Sequence, residues 1–69
     1  MSSHRSNLVD ISVQLHHATL KAILVSDDGD RDNGVWLPKS QVEYDEDSQV
    51  GSIIEVTLPE KLAIEKGLV

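Results

Sequence analysis

The chain has no cysteine and no phenylalanine, one tryptophan, one tyrosine, and half as many basic as acidic residues. Each shortage removes a class of explanation. Without cysteine there is neither a disulfide framework nor a thiolate metal site, which fits a reducing compartment. Scarce aromatics leave a core of Val, Ile and Leu, with Trp36 expected to be its largest single piece. The longest apolar runs, such as AILV at 22–25, fall far short of a membrane span, and MSSHRSN at the start has no apolar stretch of a secretory signal. A cytoplasmic location is expected.

Six Lys and Arg face twelve Asp and Glu, a formal net charge of −6. Direct nucleic-acid binding needs clustered cations to displace counterions, so this balance argues against it. It also argues against docking on an anionic membrane. A basic protein surface remains a suitable partner. The imbalance is local. Between residues 27 and 47, eight acids (Asp27, Asp28, Asp30, Asp32, Glu43, Asp45, Glu46 and Asp47) stand against Arg31 and Lys39, and the rest of the chain sums to zero.

At 69 residues the chain makes one small domain, with a core near the lower limit of independent stability. Residues 1–7 are polar and aperiodic and read as a flexible N-terminal tail, leaving 8–69 as a single compact domain. VDISVQL at 9–15 alternates, with Val9, Ile11, Val13 and Leu15 on one face, and reads as a half-buried strand. His16, His17 and Ala18 look like the turn out of it. TLKAILVS at 19–26 is a second strand, apolar enough on both faces to be central. DDGDRDNG is dense in turn formers, and Gly29, Asn33 and Gly34 all tolerate positive φ. GVWLP at 34–38 resumes as a third strand across a hairpin. SQVEY at 40–44 has the polar setting of an edge-like fourth strand. SIIEVTL at 52–58 is a fifth, with Ile54, Val56 and Leu58 on one face. Pro59, Glu60 and Gly67 suit the start and stop of a short helix over about 59–66, and Thr57 and Glu60 have capping-box spacing. The fold class that follows is α+β, mostly β: a small antiparallel sheet or barrel-like meander of about five strands with a short C-terminal helix.

Chemical motifs are few. Asp28, Asp30 and Asp32 fall on the first, third and fifth positions of a calcium loop, but Asn33 takes the glycine position and Lys39 the place of the bidentate glutamate. A solvated hairpin tip is the favoured reading. Adjacent residues of a strand face opposite ways, so His16 and His17 are not expected to share an ion, and no zinc spacing occurs. The serines lack a nucleophile-elbow context and no phosphate loop is present, so no catalytic residue, metal or cofactor is assigned, and enzyme activity is not expected. The two acidic turns, 27–34 and 45–48, each follow an even number of strands in a meander, which puts them at one end of the sheet. Arrayed carboxylates there resemble a row of phosphates and would attract a protein that grips nucleic acid.

The order strand–LHHATLKA–strand–VWLPKSQVE–acidic turn–strand–LPEKLAIEKGL resembles small proteins encoded by bacteriophages and other mobile elements. The resemblance covers residues 9–68 and is most distinctive in VWLPKSQ at 35–41 and LPEKLAIEKGL at 58–68, where Lys61 departs from a pattern that more often carries Trp. Among such proteins the chain is most similar to anti-CRISPR inhibitors, several of which mimic DNA. That resemblance implies a non-enzymatic inhibitor in the cytoplasm of a bacterial host. It would bind a DNA-binding protein or a subunit of a CRISPR effector complex, type I being the suggested instance, and block target-DNA binding. The expected partner-binding residues are the eight acids named above. The other reading is a phage accessory or structural interaction module, pairing through the edge near SQVEY, whose acidic turns serve solubility only.

Overall fold

A computed structural model describes residues 7–69. Residues 1–6, and with them most of the expected tail, lie outside the described residues. Four strands form one antiparallel sheet: β1 (Leu8–Ala18), β2 (Ala22–Ser26), β3 (Val35–Pro38) and β4 (Ile53–Pro59), in the spatial order β3-β2-β1-β4. The one α-helix among the described residues, α1 (Glu60–Glu65), follows. The architecture is mostly β with one helix, as the periodicity predicts, but with four strands rather than five.

β1 pairs with two different partners over two different lengths. Residues 8–14 run in register with β4, Leu8 opposite Pro59 and Gln14 opposite Ile53. Residues 14–18 run with β2, Gln14 opposite Ser26 and Ala18 opposite Ile23. Gln14 belongs to both ladders. Directly after it the β1–β2 register slips between Leu15 and His17, a bulge that inserts His16 as the extra residue. Bulges bend a strand and raise its twist. The expectation of a turn at 16–18 is therefore corrected: these residues belong to β1. The turn comes three residues later, where the Thr19 amide donates to the Ala22 carbonyl (2.8 Å) and the Ala22 amide donates to the Thr19 hydroxyl (3.1 Å). That turn leaves Leu20 88% exposed and shortens the second strand to 22–26.

The bend closes the fold. The chain leaves the β3 edge at Pro38, makes a one-turn 3-10 helix over Lys39–Gln41, and at Glu43 bonds both ways to Thr57 on the far edge (2.8 and 2.9 Å). Three residues of 3-10 helix and two extended ones reach about 13 Å. Four strand spacings in a flat sheet would require about 19 Å. The sheet is therefore curled, and the segment SQVEY is a helical turn plus one bridge, not a fourth strand.

Inside the curl lie Val13, Leu15, Ile23, Val25, Leu37, Val42, Ile54, Val56, Leu58 and Ala63, with Val9, Ile11, Val35, Tyr44, Leu62 and Leu68 packed against them. The alternation seen in β1 and β4 sets these faces. Trp36 does not join them, which corrects its expected place in the core. On a strand whose Val35 and Leu37 both point inward, the residue between must point out. Two aliphatics outweigh one indole.

Helix α1 is too short to stand alone and depends on its packing. Ala63 is fully buried, and Leu62 and Leu68 cover the core from one side. Pro59 occupies the N-cap without a side-chain cap bond. The expected capping box does not form, because Thr57 lies in β4 and its hydroxyl donates to the Asp10 carboxylate. The C-terminal end behaves as its glycine predicts. Gly67 has φ +73°, its amide donates to Ile64 (3.1 Å), and the Leu68 amide donates back to Ala63 (2.9 Å), the paired bonds of a Schellman motif.

Two stability measurements check this packing. Leu58→Ala, at a fully buried site, is expected to cost about 2–5 kcal/mol, whereas Ile53→Ala, at a site 69% exposed, costs about 0.5 kcal/mol or less. Urea midpoints read both, and similar shifts for the two would contradict the inward face assigned to β4. Gly67→Ala meets open space yet must adopt a left-handed backbone, so it is expected to cost about 1–2 kcal/mol. An unchanged melting temperature would contradict the C-terminal cap.

Candidate interaction surface

The acidic hairpin between β2 and β3 is stapled by its own carboxylates. One oxygen of Asp28 accepts the Asp30 amide (2.9 Å), and one oxygen of Asp30 accepts the Asp32 amide (2.9 Å). The Asn33 side-chain amide donates to the second oxygen of each, at 3.0 and 3.4 Å. A one-turn 3-10 helix over Arg31–Asn33 completes the loop, with Asp30 as its N-cap. The Asp28 carboxyl lies below its ordinary value, chiefly because the Asp30 amide favours the charged form and then because Asn33 does. Asp28 and Asp30 thus spend both oxygens on the hairpin itself. Among the described residues, no three His, Asp or Glu side chains are placed to hold a metal ion.

Gly29 takes the positive φ expected of this turn (+79°), but Asn33 does not. Gly34 is needed for space instead. A Cβ there would stand 3.0 Å from both the Leu24 side chain and the Arg31 carbonyl.

The second acidic loop is built the same way. Asp45 accepts the Asp47 amide on its side chain (2.9 Å) and the Ser48 amide on its carbonyl (3.0 Å). A further turn over Gln49–Ser52 then brings the chain to β4. Gln14 lies between the hairpin and this further turn. Its side-chain amide donates to the Gly51 carbonyl (3.0 Å), and its oxygen lies 3.2 Å from where a Cβ on Gly29 would be. Both flank Gln14 because β2 ends, and β4 begins, opposite the same residue of β1. They arrive from opposite directions along β1, not side by side at one end of a meander.

All eight acids singled out in the sequence are exposed. Glu43 stands apart from the hairpin, in a cross-strand row with Thr57 and Asp10. Laterally paired residues share a face, so Asp10 and Glu43 flank Thr57 on the outer surface, and Glu55 lies beside Ser12 in the adjacent row. Counting charge along the chain had separated Asp10 and Glu55 from the acidic window. Their positions on the polar faces of two alternating strands are the signal that would have included them.

The histidines depart from expectation. With His16 bulged, His16 and His17 both lie on the outer face rather than on opposite ones. His16 Nε2 is hydrogen-bonded to Ser26 Oγ at 2.7 Å, and the His17 ring meets Trp36 edge to face, with centroids 6.1 Å apart. A Ser–His contact of that length resembles a nucleophile and its base. Ser26 is only 1% exposed, however, so its hydroxyl has no access for a substrate and the bond satisfies a buried polar group. An open hollow of about 530 Å³ lies against α1, lined by Asn7, Pro59, Glu60, Lys61, Ile64 and Glu65. None of the eight acids borders it.

The hairpin staple has a pH signature. A carboxyl whose folded pKa lies below its ordinary 3.8 stabilises the fold fully above that value, and the contribution is lost as pH falls through the lower folded pKa. The melting-temperature gap between wild type and Asp28→Ala should therefore be widest near neutral pH and close below pH 3.8. A gap that stays constant from pH 7 to about pH 2 would show that the charge of Asp28 is not what holds the turn.

No helix among the described residues is long and apolar enough to cross a membrane. No protein-family model, curated protein or solved structure matches the chain, so its functional reading stands on this surface.

Proposed function

We propose that the protein is a non-enzymatic, acidic protein-binding inhibitor that occupies the basic groove of a nucleic-acid-binding partner. The observation that carries this reading is the exposure of all eight acids, on the hairpin and on the loop leading to β4, with Glu43, Asp10 and Glu55 extending the negative surface across the outer face of β1 and β4. A field of one sign, held on a curled sheet, steers association with a surface of the opposite sign and makes it sensitive to salt. The resemblance of VWLPKSQ and LPEKLAIEKGL to anti-CRISPR proteins makes a CRISPR effector complex in a bacterial cytoplasm the first partner to assay, type I being the suggested instance. There the inhibitor would keep target DNA off the groove.

One observation favours the second reading, an accessory module whose acids serve its own fold and solubility. Asp28, Asp30 and Asp45 cap amides of their own turns, a role that requires no partner.

The test separates the two by sparing those three. Charge reversal at Asp27, Asp32, Glu46 and Asp47 to Lys should leave the melting temperature within a few degrees. It should weaken binding to a guide-loaded effector by about tenfold or more and flatten its salt dependence. Unchanged inhibition of target-DNA binding by this variant would overturn the inhibitor reading and leave the accessory one.

A further inference from the structure

Trp36 is the only tryptophan and stands at the second position of an edge strand, 44% exposed. It does not hang loosely. Leu24 is its cross-strand partner and also that of His17, so the three form one row over β3, β2 and β1. Leu24 is buried to 8% exposure, and the missing Cβ of Gly34 leaves it room. His17 braces the indole edge to face. The indole is thus fixed by its neighbours while much of it meets solvent. Two residues back along the chain lies Gly34, and directly before it the acidic hairpin, where the side-chain carboxylates of Asp27 and Asp32 accept none of the Asx-turn amides.

The backbone beside Trp36 favours one mode of recognition. The Lys39 amide donates to the Lys21 carbonyl (2.8 Å), so by alternation Ile23–Leu37 and Val25–Val35 are the hydrogen-bonded pairs, and the backbones of Trp36 and Pro38 face the open edge. Pro38 has no amide hydrogen, which leaves Trp36 as the single donor within that four-residue edge. An added strand would find one donor and the carbonyls of Trp36 and Pro38 on a four-residue edge that ends in proline, a short row for strand addition. Side-chain docking is what this edge supports. An aromatic face carries negative charge at its centre and binds cations, guanidinium above all because it is planar and weakly hydrated.

We propose that the outer face formed by Trp36, His17 and the acidic hairpin docks an arginine-bearing basic segment of a protein partner, with a guanidinium stacked on Trp36 and further cations drawn to Asp27 and Asp32. This rests on the reading of the protein as an acidic binding module and assigns that module its anchor.

Nona-arginine and nona-lysine peptides serve as probes, with affinity read by calorimetry and contact by the emission of the single tryptophan. Nona-arginine should bind more tightly than nona-lysine and perturb Trp36 emission more at equal occupancy. Trp36→Leu, which keeps an apolar cover over Leu24, should weaken nona-arginine binding at least about threefold, and Trp36→Phe should restore part of it. Equal nona-arginine affinity in wild type and Trp36→Leu overturns the proposal, as does binding that leaves wild-type emission unchanged, a readout independent of how well any variant folds. The double variant Asp27→Lys, Asp32→Lys distinguishes the two levels. If it loses binding while Trp36→Leu does not, the acidic reading stands and the Trp36 anchor falls. If neither variant weakens binding, or wild type does not bind, both fall.

Discussion

Everything in this small fold depends on one strand pairing in two directions. β1 gives its first half to β4 and its second half to β2, and Gln14 is the residue that belongs to both ladders. A straight strand flanked this way would leave two short half-sheets staggered past each other with little to enclose. The bulge at His16 bends β1 where the partners change, and the bend lets a five-residue connection from Pro38 to Glu43 span from one edge to the other. Only in that curled state do Leu37 from β3 and Val56 from β4 share one core. With no disulfide, enclosure by curvature supplies what a chain of this length otherwise lacks.

The same strand organises the surface. Its outward residues, Asp10, Ser12 and Gln14, continue the rows begun by Thr57, Glu55 and Ile53. Gln14, at the change of partners, bonds to Gly51 ahead of β4 and lies against Gly29 of the hairpin. The hinge of the fold is therefore also the residue that the hairpin and the turn ahead of β4 flank. A change at Gln14 would disturb core closure and loop placement together, which makes it a poor site for dissecting function and a good one for understanding the architecture.

Much of the fold was legible because β1 and β4 alternate strictly, and such alternation admits one inward face. The glycine that ends α1 and the turn formers of the hairpin were legible for the same local reason. What could not be read was non-local. A bulge leaves no mark in HHA, so His16 and His17 were assigned to a turn and to opposite faces. SQVEY has the composition of a strand, but its length is consumed in crossing the curl. Trp36 was misplaced by weighing its size, when its neighbours Val35 and Leu37 decide the face. The acidic window was visible as a run, whereas Asp10 and Glu55 join it only through cross-strand register.

The carboxylates themselves divide into two populations, and the division bears on how such a surface can evolve. Asp28, Asp30 and Asp45 are tied to the amides of their own turns, so a loop of this kind keeps its shape only while those acids remain. Asp27, Asp32, Glu46 and Asp47 lend at most a backbone amide to those Asx turns and keep their carboxylates out of them, so their charge can be changed with the turns left standing. A solubility role asks nothing of where such charges lie. A docking role asks that they stand near an anchor that is rigid before the partner arrives, since ordering an aromatic side chain at an interface costs free energy. Trp36, braced by His17 and seated on Leu24, meets that condition on the strand that leaves the hairpin. The two loops are therefore not equivalent halves of one surface: the hairpin side carries the apolar anchor, and the Asp45–Asp47 side extends the field that brings a basic partner to it.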